Sequence, residues 1–274
     1  MKDLNLISQS VVYLEPYAED PQCEKTINPL GHATAFIWKK NDSYFLVSNW
    51  HVFTGKNHDT GKKKLSPKYF KISSYTGKNS VLVKLYDYED NPLWLQDRYT
   101  KTDLENVPVS DIAILPLKNS VNDWNVQPLN ISLQESNSLK DIVLEVTTPM
   151  SIVGYPLDVK DITDNPPLWV TANVASPPLS DKPSFLANGF PYSGMSGSPV
   201  FWIFPNRPIK LASGAGLVNS TMGEFIQFVG IYSGRMCGDV IINDKPIEQP
   251  TPLARIWNAI NIDNILIYSK LNGY

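Results

Sequence analysis

Prolines and glycines, 22 and 15 of them, punctuate this chain so closely that it reads as many short elements joined by turns rather than as long helices. Between the breaks lie apolar runs with strand character. They are Ser8–Leu14, Gly31–Trp38, Ser43–Ser48, Tyr69–Tyr75, Val81–Tyr86, Asp111–Leu117, Ile142–Val146, Ser151–Pro156, Leu168–Val174, Ile209–Leu217 and Phe225–Arg235. The turn Lys39–Asp42 makes a hairpin of the second and third, and Thr76–Asn79 makes one of the fourth and fifth. Asp87–Asn106 is polar apart from the island Trp94–Leu95, and Ala175–Phe190 reads as a loop set by Pro177, Pro178 and Pro183. Lys118–Lys140 has a weaker pattern and reads as the connection between two halves, 1–125 and 126–274. Helical spacing is best in Pro252–Tyr268, through Leu253, Ile256, Trp257, Ile260, Ile265 and Leu266, with Asn261–Asn264 as an interruption. No internal repeat is visible. The pattern predicts an all-β barrel or sandwich in two halves, closed by a C-terminal helix.

Charge and cysteine content remove several classes of function. A net charge of −3 gives no electrostatic reason to expect nucleic acid or an anionic membrane as partner. Lys62–Lys64 reads as a solvated loop. No apolar run approaches the roughly 18 residues of a membrane span, and the N-terminus lacks the basic and apolar blocks of a signal peptide. Two cysteines, Cys23 and Cys237, are too few for a disulfide framework. They are expected as free buried thiols, which points to a reducing, cytoplasmic location. No His/Cys cluster has zinc spacing and no glycine-rich phosphate loop is present, so no metal or organic cofactor is required.

Chemistry is concentrated at three places. Gly194-Met195-Ser196-Gly197-Ser198-Pro199 sets a serine between glycines, just before the apolar run Val200–Phe204. Such a turn can aim backbone N–H groups at one point beside a hydroxyl, the arrangement an oxyanion hole needs. His51 ends an apolar strand, followed by Val52 and Phe53. Asp111 heads the run Ile112–Leu117, where an unpaired carboxylate would be costly to bury, so it needs a partner. Each also has an ordinary reading: a surface turn, a core histidine, a turn-capping aspartate. His32 and His58 have no neighbourhood that suggests chemistry.

The order His51, Asp111, Ser196 resembles that of the chymotrypsin/trypsin-like serine peptidases, in the form of the bacterial trypsin-like peptidase domains. Asn49-Trp50-His51-Val52 is similar to the family's histidine motif, Asp111-Ile112-Ala113-Ile114-Leu115 to its D-I-A-L-L, and Gly194–Pro199 to its G-D-S-G-G-P. Val229–Gly234 resembles the strand lining the substrate cleft, and Ile152–Pro156 an early strand of the second barrel. The likeness runs from about Gly31 to the C-terminal helix. It implies two antiparallel six-stranded Greek-key barrels with the site between them. The first would carry His51 and Asp111 and the second Ser196. It implies a serine endopeptidase acting on protein or peptide, with Ser196 as nucleophile, His51 as base, Asp111 holding the imidazole, and the N–H groups of Gly194 and Ser196 as oxyanion hole. Phe190, Tyr232, Ser233, Gly234 and Arg235 would then bind substrate, with Phe190 at the base of the specificity pocket.

Departures qualify the resemblance. Met195 stands where digestive members carry the aspartate that pairs with a newly released N-terminus, so activation by that route is not expected. Val52 replaces a disulfide cysteine, and Ser198 replaces a glycine. An α/β-hydrolase is excluded by order, because no histidine follows His58. A subtilisin-like enzyme would need its aspartate before the histidine. The alternatives that remain open are a protease-like binding or regulatory module, and a latent protease whose Ala175–Phe190 loop is reshaped by a regulatory protein partner.

Overall fold

The computed structural model describes residues 2–23, 27–74, 80–100, 107–117, 144–156, 166–179, 181–189, 192–204, 208–210, 217–219, 225–242 and 245–271. The chain opens with helix α1 (Lys2–Ser10), then strands β1 (Val11–Tyr17), β2 (Ala33–Lys40) and β3 (Ser43–Ser48) and a single-turn helix α2 (Trp50–Thr54). β4 (Tyr69–Ser73), β5 (Ser80–Lys84), β6 (Leu95–Gln96), β7 (Tyr99–Thr100), β8 (Val107–Pro108) and β9 (Ala113–Leu117) complete the first half. The second half contains β10 (Pro149–Gly154), β11 (Leu168–Val174), β12 (Ser184–Asn188), β13 (Pro199–Phe204), β14 (Pro208–Lys210), β15 (Leu217–Asn219), β16 (Phe225–Ile242) and β17 (Lys245–Asn258). Helix α3 (Ile260–Leu271) follows.

The first half is a seven-stranded sheet in the order β5-β4-β1-β2-β3-β9-β6, and the second a closed barrel in the order β10-β11-β12-β17-β16-β13. Every pairing is antiparallel within each. This is the trypsin-like double-barrel architecture with a C-terminal helix, its first half an incompletely closed sheet. The expected boundary at 125/126 and the expected connection Lys118–Lys140 lie outside the described residues.

Strand alternation explains how the halves join. Side chains of a strand point alternately to opposite faces. In β2, Ala35 and Ile37 enter the core of the first sheet, while Phe36 and Trp38 enter a second core shared with the barrel. In the barrel, Ile152, Val200 and Ile256 fill its interior, while Val153, Phe201 and Trp257 join Phe36 and Trp38 in the shared core. α3 seals that core with Ile262, Ile265 and Leu266, and the Asp263 carboxylate pairs with Lys40 of β2. Both faces of β2 are buried from Ala33 to Trp38, so that stretch reads as a nearly continuous apolar run.

Several expected boundaries shift. Ser8–Ser10 finishes α1, and the strand begins at Val11. Residues 144–147 are loop and turn, while the rest of the expected strand Ile142–Val146 lies outside the described residues. The expected loop Ala175–Phe190 contains β12, which closes the barrel by pairing with β11 and β17. Ile209–Leu217 is not one strand: β14 and β15 form a small separate hairpin. Pro252–Asn258 belongs to β17, and helix begins only at Ile260, running through Asn261–Asn264 without a break. Cys23 is an exposed free thiol rather than a buried one.

Candidate active site

β3 ends at Ser48, which is fully buried, as is Asn49, the residue that caps the next helix. The chain then turns through α2, which Gly55 stops in the left-handed region (φ 68°), its N–H donating to His51 O at 2.9 Å. Trp50, Val52 and Phe53 turn inward, while His51 and Thr54 keep partial access to solvent. His51 therefore sits on a short helix just past the strand end. Asn49 Nδ2 donates to Asp111 O at 2.8 Å, tying the start of this helix to the approach to β9.

Asp111 is 1% exposed and fully engaged. Its Oδ1 accepts the His51 backbone N–H at 2.8 Å, and its Oδ2 accepts the His51 Nδ1–H at 2.7 Å and the Ser233 hydroxyl. Burial pushes the carboxyl pKa up. The charge and hydrogen bond of His51, the charge of His58 and the Ser233 hydroxyl outweigh that and hold it below its ordinary value. A carboxylate at Oδ2 fixes the proton on His51 Nδ1 and leaves the Nε2 lone pair free.

The serine turn is set by two glycines. Gly194 and Gly197 both have φ +88°. Tyr192 O and Met195 N stand 3.5 Å apart, and a positive φ at Gly194, the third residue, is that of a type II turn. Space is as restrictive as dihedral: a Cβ on Gly194 would lie 2.2 Å from His32 Nε2, and one on Gly197 would lie 2.1 Å from Ser48 Oγ. Fully buried Thr34 of β2 clasps the turn from the other half of the molecule. Its N–H donates to Ser196 O at 2.9 Å and its hydroxyl to Gly194 O at 2.9 Å. The same hydroxyl accepts Tyr155 N–H at 3.0 Å, while Thr34 O accepts the Ser48 hydroxyl at 2.7 Å. Met195 is 2% exposed and packs in the barrel core. Apolar burial thus anchors the turn at the position where an aspartate would need a cationic partner.

Ser196 and His51 line one cleft of about 650 Å³, together with His32, Gly194, Tyr232 and Gly234. Among the described residues Ser196 Oγ has no hydrogen-bond partner. Such bonds are often long before substrate binds. A Cβ on Gly234 (φ +96°) would lie 3.6 Å from Ser196 Oγ, so the glycine keeps the wall beside the serine thin.

The expected substrate-binding residues divide. Gly234 lines the cleft, and so does Tyr232, although it is only 2% exposed and its backbone is tied into the serine turn. Tyr232 N–H donates to Ser198 O, and Gly197 N–H donates to Tyr232 O, each at 2.9 Å. The Ser233 hydroxyl is spent on Asp111 behind the imidazole rather than on the cleft wall. Arg235 lies at an irregularity of β16 and its side chain is outside the described set, as is Phe190.

Three residues beside this site carried no sequence signal. Thr34 is one, because the groups it clasps lie far along the chain. His32 is another: it stacks on Tyr13 with ring centroids 5.8 Å apart. The third is His58, wedged against Trp50 and Trp257 at centroid distances of 6.1 and 5.1 Å. Its Nε2–H donates to Pro108 O at 2.9 Å, and its Nδ1 stands 3.7 Å from Asp59, which Arg255 Nη1 meets at 2.5 Å. Burial lowers the His58 pKa, but the Asp59 carboxylate, the Asp111 charge and Pro108 O raise it above its ordinary value.

No family model and no curated protein matches this chain. Among solved structures it is similar to a serine endoprotease from Yersinia pestis, at TM-score 0.50 and 10% identity, over 98% of this chain and 66% of the other. The chain thus spans just under two thirds of that protein's length. At such identity the likeness establishes the fold.

Proposed function

We propose that this chain is a trypsin-like serine endopeptidase hydrolysing peptide bonds through Ser196, His51 and Asp111. The observation carrying this reading is the buried Asp111 carboxylate with both oxygens on His51, at the edge of a cleft that Ser196 also lines. Ser196 Oγ attacks the scissile carbonyl carbon as His51 Nε2 takes its proton. The carbonyl oxygen gains the displaced electron pair and is met by the N–H groups of Gly194 and Ser196, each such donor worth about 3 kcal/mol at the transition state. The intermediate expels the amine, which receives the proton from His51. Water then repeats the sequence on the acyl-enzyme and releases the acid. Asp111 stabilises the imidazolium formed in each half. Cofactors have no part in this chemistry, and the substrate is a protein or peptide.

The test is labelling of the purified protein with a fluorophosphonate, beside Ser196→Ala and His51→Ala. The reading requires labelling that both variants lose. Its rival is the latent protease or regulatory module, favoured by a Ser196 hydroxyl that has no hydrogen-bond partner among the described residues. That rival requires a wild type inert alone. Labelling that appears only with a protein partner would assign latency.

A further inference from the structure

His58 stands where three parts of the fold meet. It follows α2 in the loop that Gly55 opens. Its Nε2 donates to Pro108 O at 2.9 Å, on the segment that leads to Asp111. Its ring meets Trp50, the neighbour of His51, and Trp257 of β17, which faces the shared core. The stretches that carry His51 and Asp111, and the barrel that carries Ser196, thus close on one imidazole.

The partners decide its protonation. A carbonyl oxygen only accepts, so Nε2 holds a proton, and in the neutral ring Nδ1 is then a bare lone pair. Nδ1 has no solvent access and no hydrogen-bond partner among the described residues, and it faces Asp59 Oδ1 at 3.7 Å. A lone pair aimed at a carboxylate is repelled, whereas a second proton makes the same contact attractive. The arrangement selects the imidazolium.

The charges around this ring do not cancel locally. Asp59 is shared with Arg255 of β17, whose Nη1 meets its Oδ1 at 2.5 Å and whose guanidinium stands 5.5 Å from the Trp257 ring centroid. One carboxylate therefore faces two cations. The charged groups acting on His58 are Asp59 and Arg255, as this ion pair, and Asp111 ahead of β9. Asp111 is 1% exposed and the His58 side chain 14% exposed, so little water screens the attraction between them. Asp111 is also the group that stabilises the imidazolium formed at His51.

We infer that His58 is a positioning residue of the triad, holding the approach to Asp111 through Pro108 and competing with His51 for the Asp111 charge. The inference rests on the hydrolytic reading of Ser196 and His51. The proton on His58 then sets the speed of proton transfer from Ser196 to His51. In acid, where both imidazoles are protonated at rest, the transition state holds the same two charges and their repulsion cancels. In alkali, where His58 is neutral, nothing opposes the new charge on His51. Between these limits, with His51 free and His58 still protonated, only the transition state carries two cations beside one carboxylate, and the reaction slows.

The test is the second-order rate of fluorophosphonate labelling between about pH 5 and pH 9 in wild type and His58→Gln, which keeps an N–H for Pro108 O and carries no charge. The ratio of variant to wild type should peak about pH 7, roughly fivefold above its value at pH 9, and fall again toward pH 5. A merely structural role would multiply the rate by one factor at every pH, so a flat ratio, or a minimum near neutrality, overturns the inference. Asp59→Asn removes the carboxylate that faces Nδ1 and should also speed labelling at pH 7; slower labelling there overturns it as well. The ring C–H resonance of His58, assigned by its loss in His58→Gln, gives a reading without turnover. In Asp111→Asn its titration should move to lower pH, and an unmoved titration overturns the inference whether or not the protein labels. A wild type that never labels, with the titration moved as expected, counts against the hydrolytic reading instead.

Discussion

Thr34→Val tests whether the serine turn is held in shape from the first half of the molecule. The change keeps the side chain's size and removes one hydroxyl. That hydroxyl donates to Gly194 O at 2.9 Å and accepts Tyr155 N–H at 3.0 Å, at a site with no solvent access. Valine leaves a buried carbonyl and a buried N–H unpaired, at about 1–3 kcal/mol each, so a loss of about 4 kcal/mol is expected. For a chain of this size that lowers Tm by about 8 °C. Thr34→Ser keeps the hydroxyl and removes one methyl, costing about 1 kcal/mol. Function should separate the variants further. Gly194 O is the other end of the residue whose N–H is the proposed oxyanion donor, and a mis-set donor costs a large part of about 10²–10³ in rate. Fluorophosphonate labelling of Ser196 should slow at least about tenfold in Thr34→Val and less than about threefold in Thr34→Ser. Thermal melts and labelling time courses read both. A Thr34→Val protein that melts and labels like Thr34→Ser would refute the clasp.

Asp111→Asn should leave the fold intact and slow labelling by about 10⁴-fold, because an amide no longer fixes the proton on His51 Nδ1; labelling within tenfold of wild type would count against the triad. Since the folded Asp111 pKa lies below its unfolded value, its contribution to stability is full above the ordinary carboxylate pKa and is lost as pH falls through the folded one. For His58 the sign is opposite: its folded pKa is raised, so its contribution is full below the unfolded pKa of about 6.5 and lost as pH rises through the folded one. The Tm gap between wild type and His58→Asn should accordingly be widest near pH 6 and narrow toward pH 9, and a gap constant with pH would remove His58 from the charge network of Asp59, Arg255 and Asp111. Gly197→Ala should cost more than about 3 kcal/mol, because its Cβ would meet Ser48 and Thr34 at a φ that alanine rarely adopts; urea titration measures this, and a near-neutral variant would contradict the packing of the turn. Cys23 is exposed, so Ellman's reagent should modify the native protein at once, and Cys23→Ser should lose that fast phase.

What the sequence made legible were features whose cause is local. Glycines around a serine permit the positive φ that a tight turn requires, and an aspartate heading an apolar strand needs a partner, so Ser196 and Asp111 stood out. His51 gained meaning only by its order relative to them. Thr34, His32 and His58 gave no signal because what they touch is supplied by fold closure: Thr34 meets Gly194, and His58 meets Pro108 and Trp257. Nothing near them in sequence needs a threonine or an imidazole. The Ala175–Phe190 segment misled through its prolines, since Pro183 ends the irregular part and β12 starts at the next residue, with Phe185 and Ala187 alternating into the barrel. The C-terminal misreading has a sharper cause. Leu253, Ile256 and Trp257 fit a 3.6-residue period, yet a strand buried on both faces has no polar side to reveal its period of two. Ile256 enters the barrel and Trp257 the shared core, so adjacent residues are both apolar. Pro246, Pro250 and Pro252 are the discriminating residues. Their spacing by even numbers places the missing N–H groups on one edge of an extended strand, where no donors are needed. The same prolines blunt the outer edge of β17 where β12 no longer pairs with it, since β12 meets β17 only from Leu253 to Trp257.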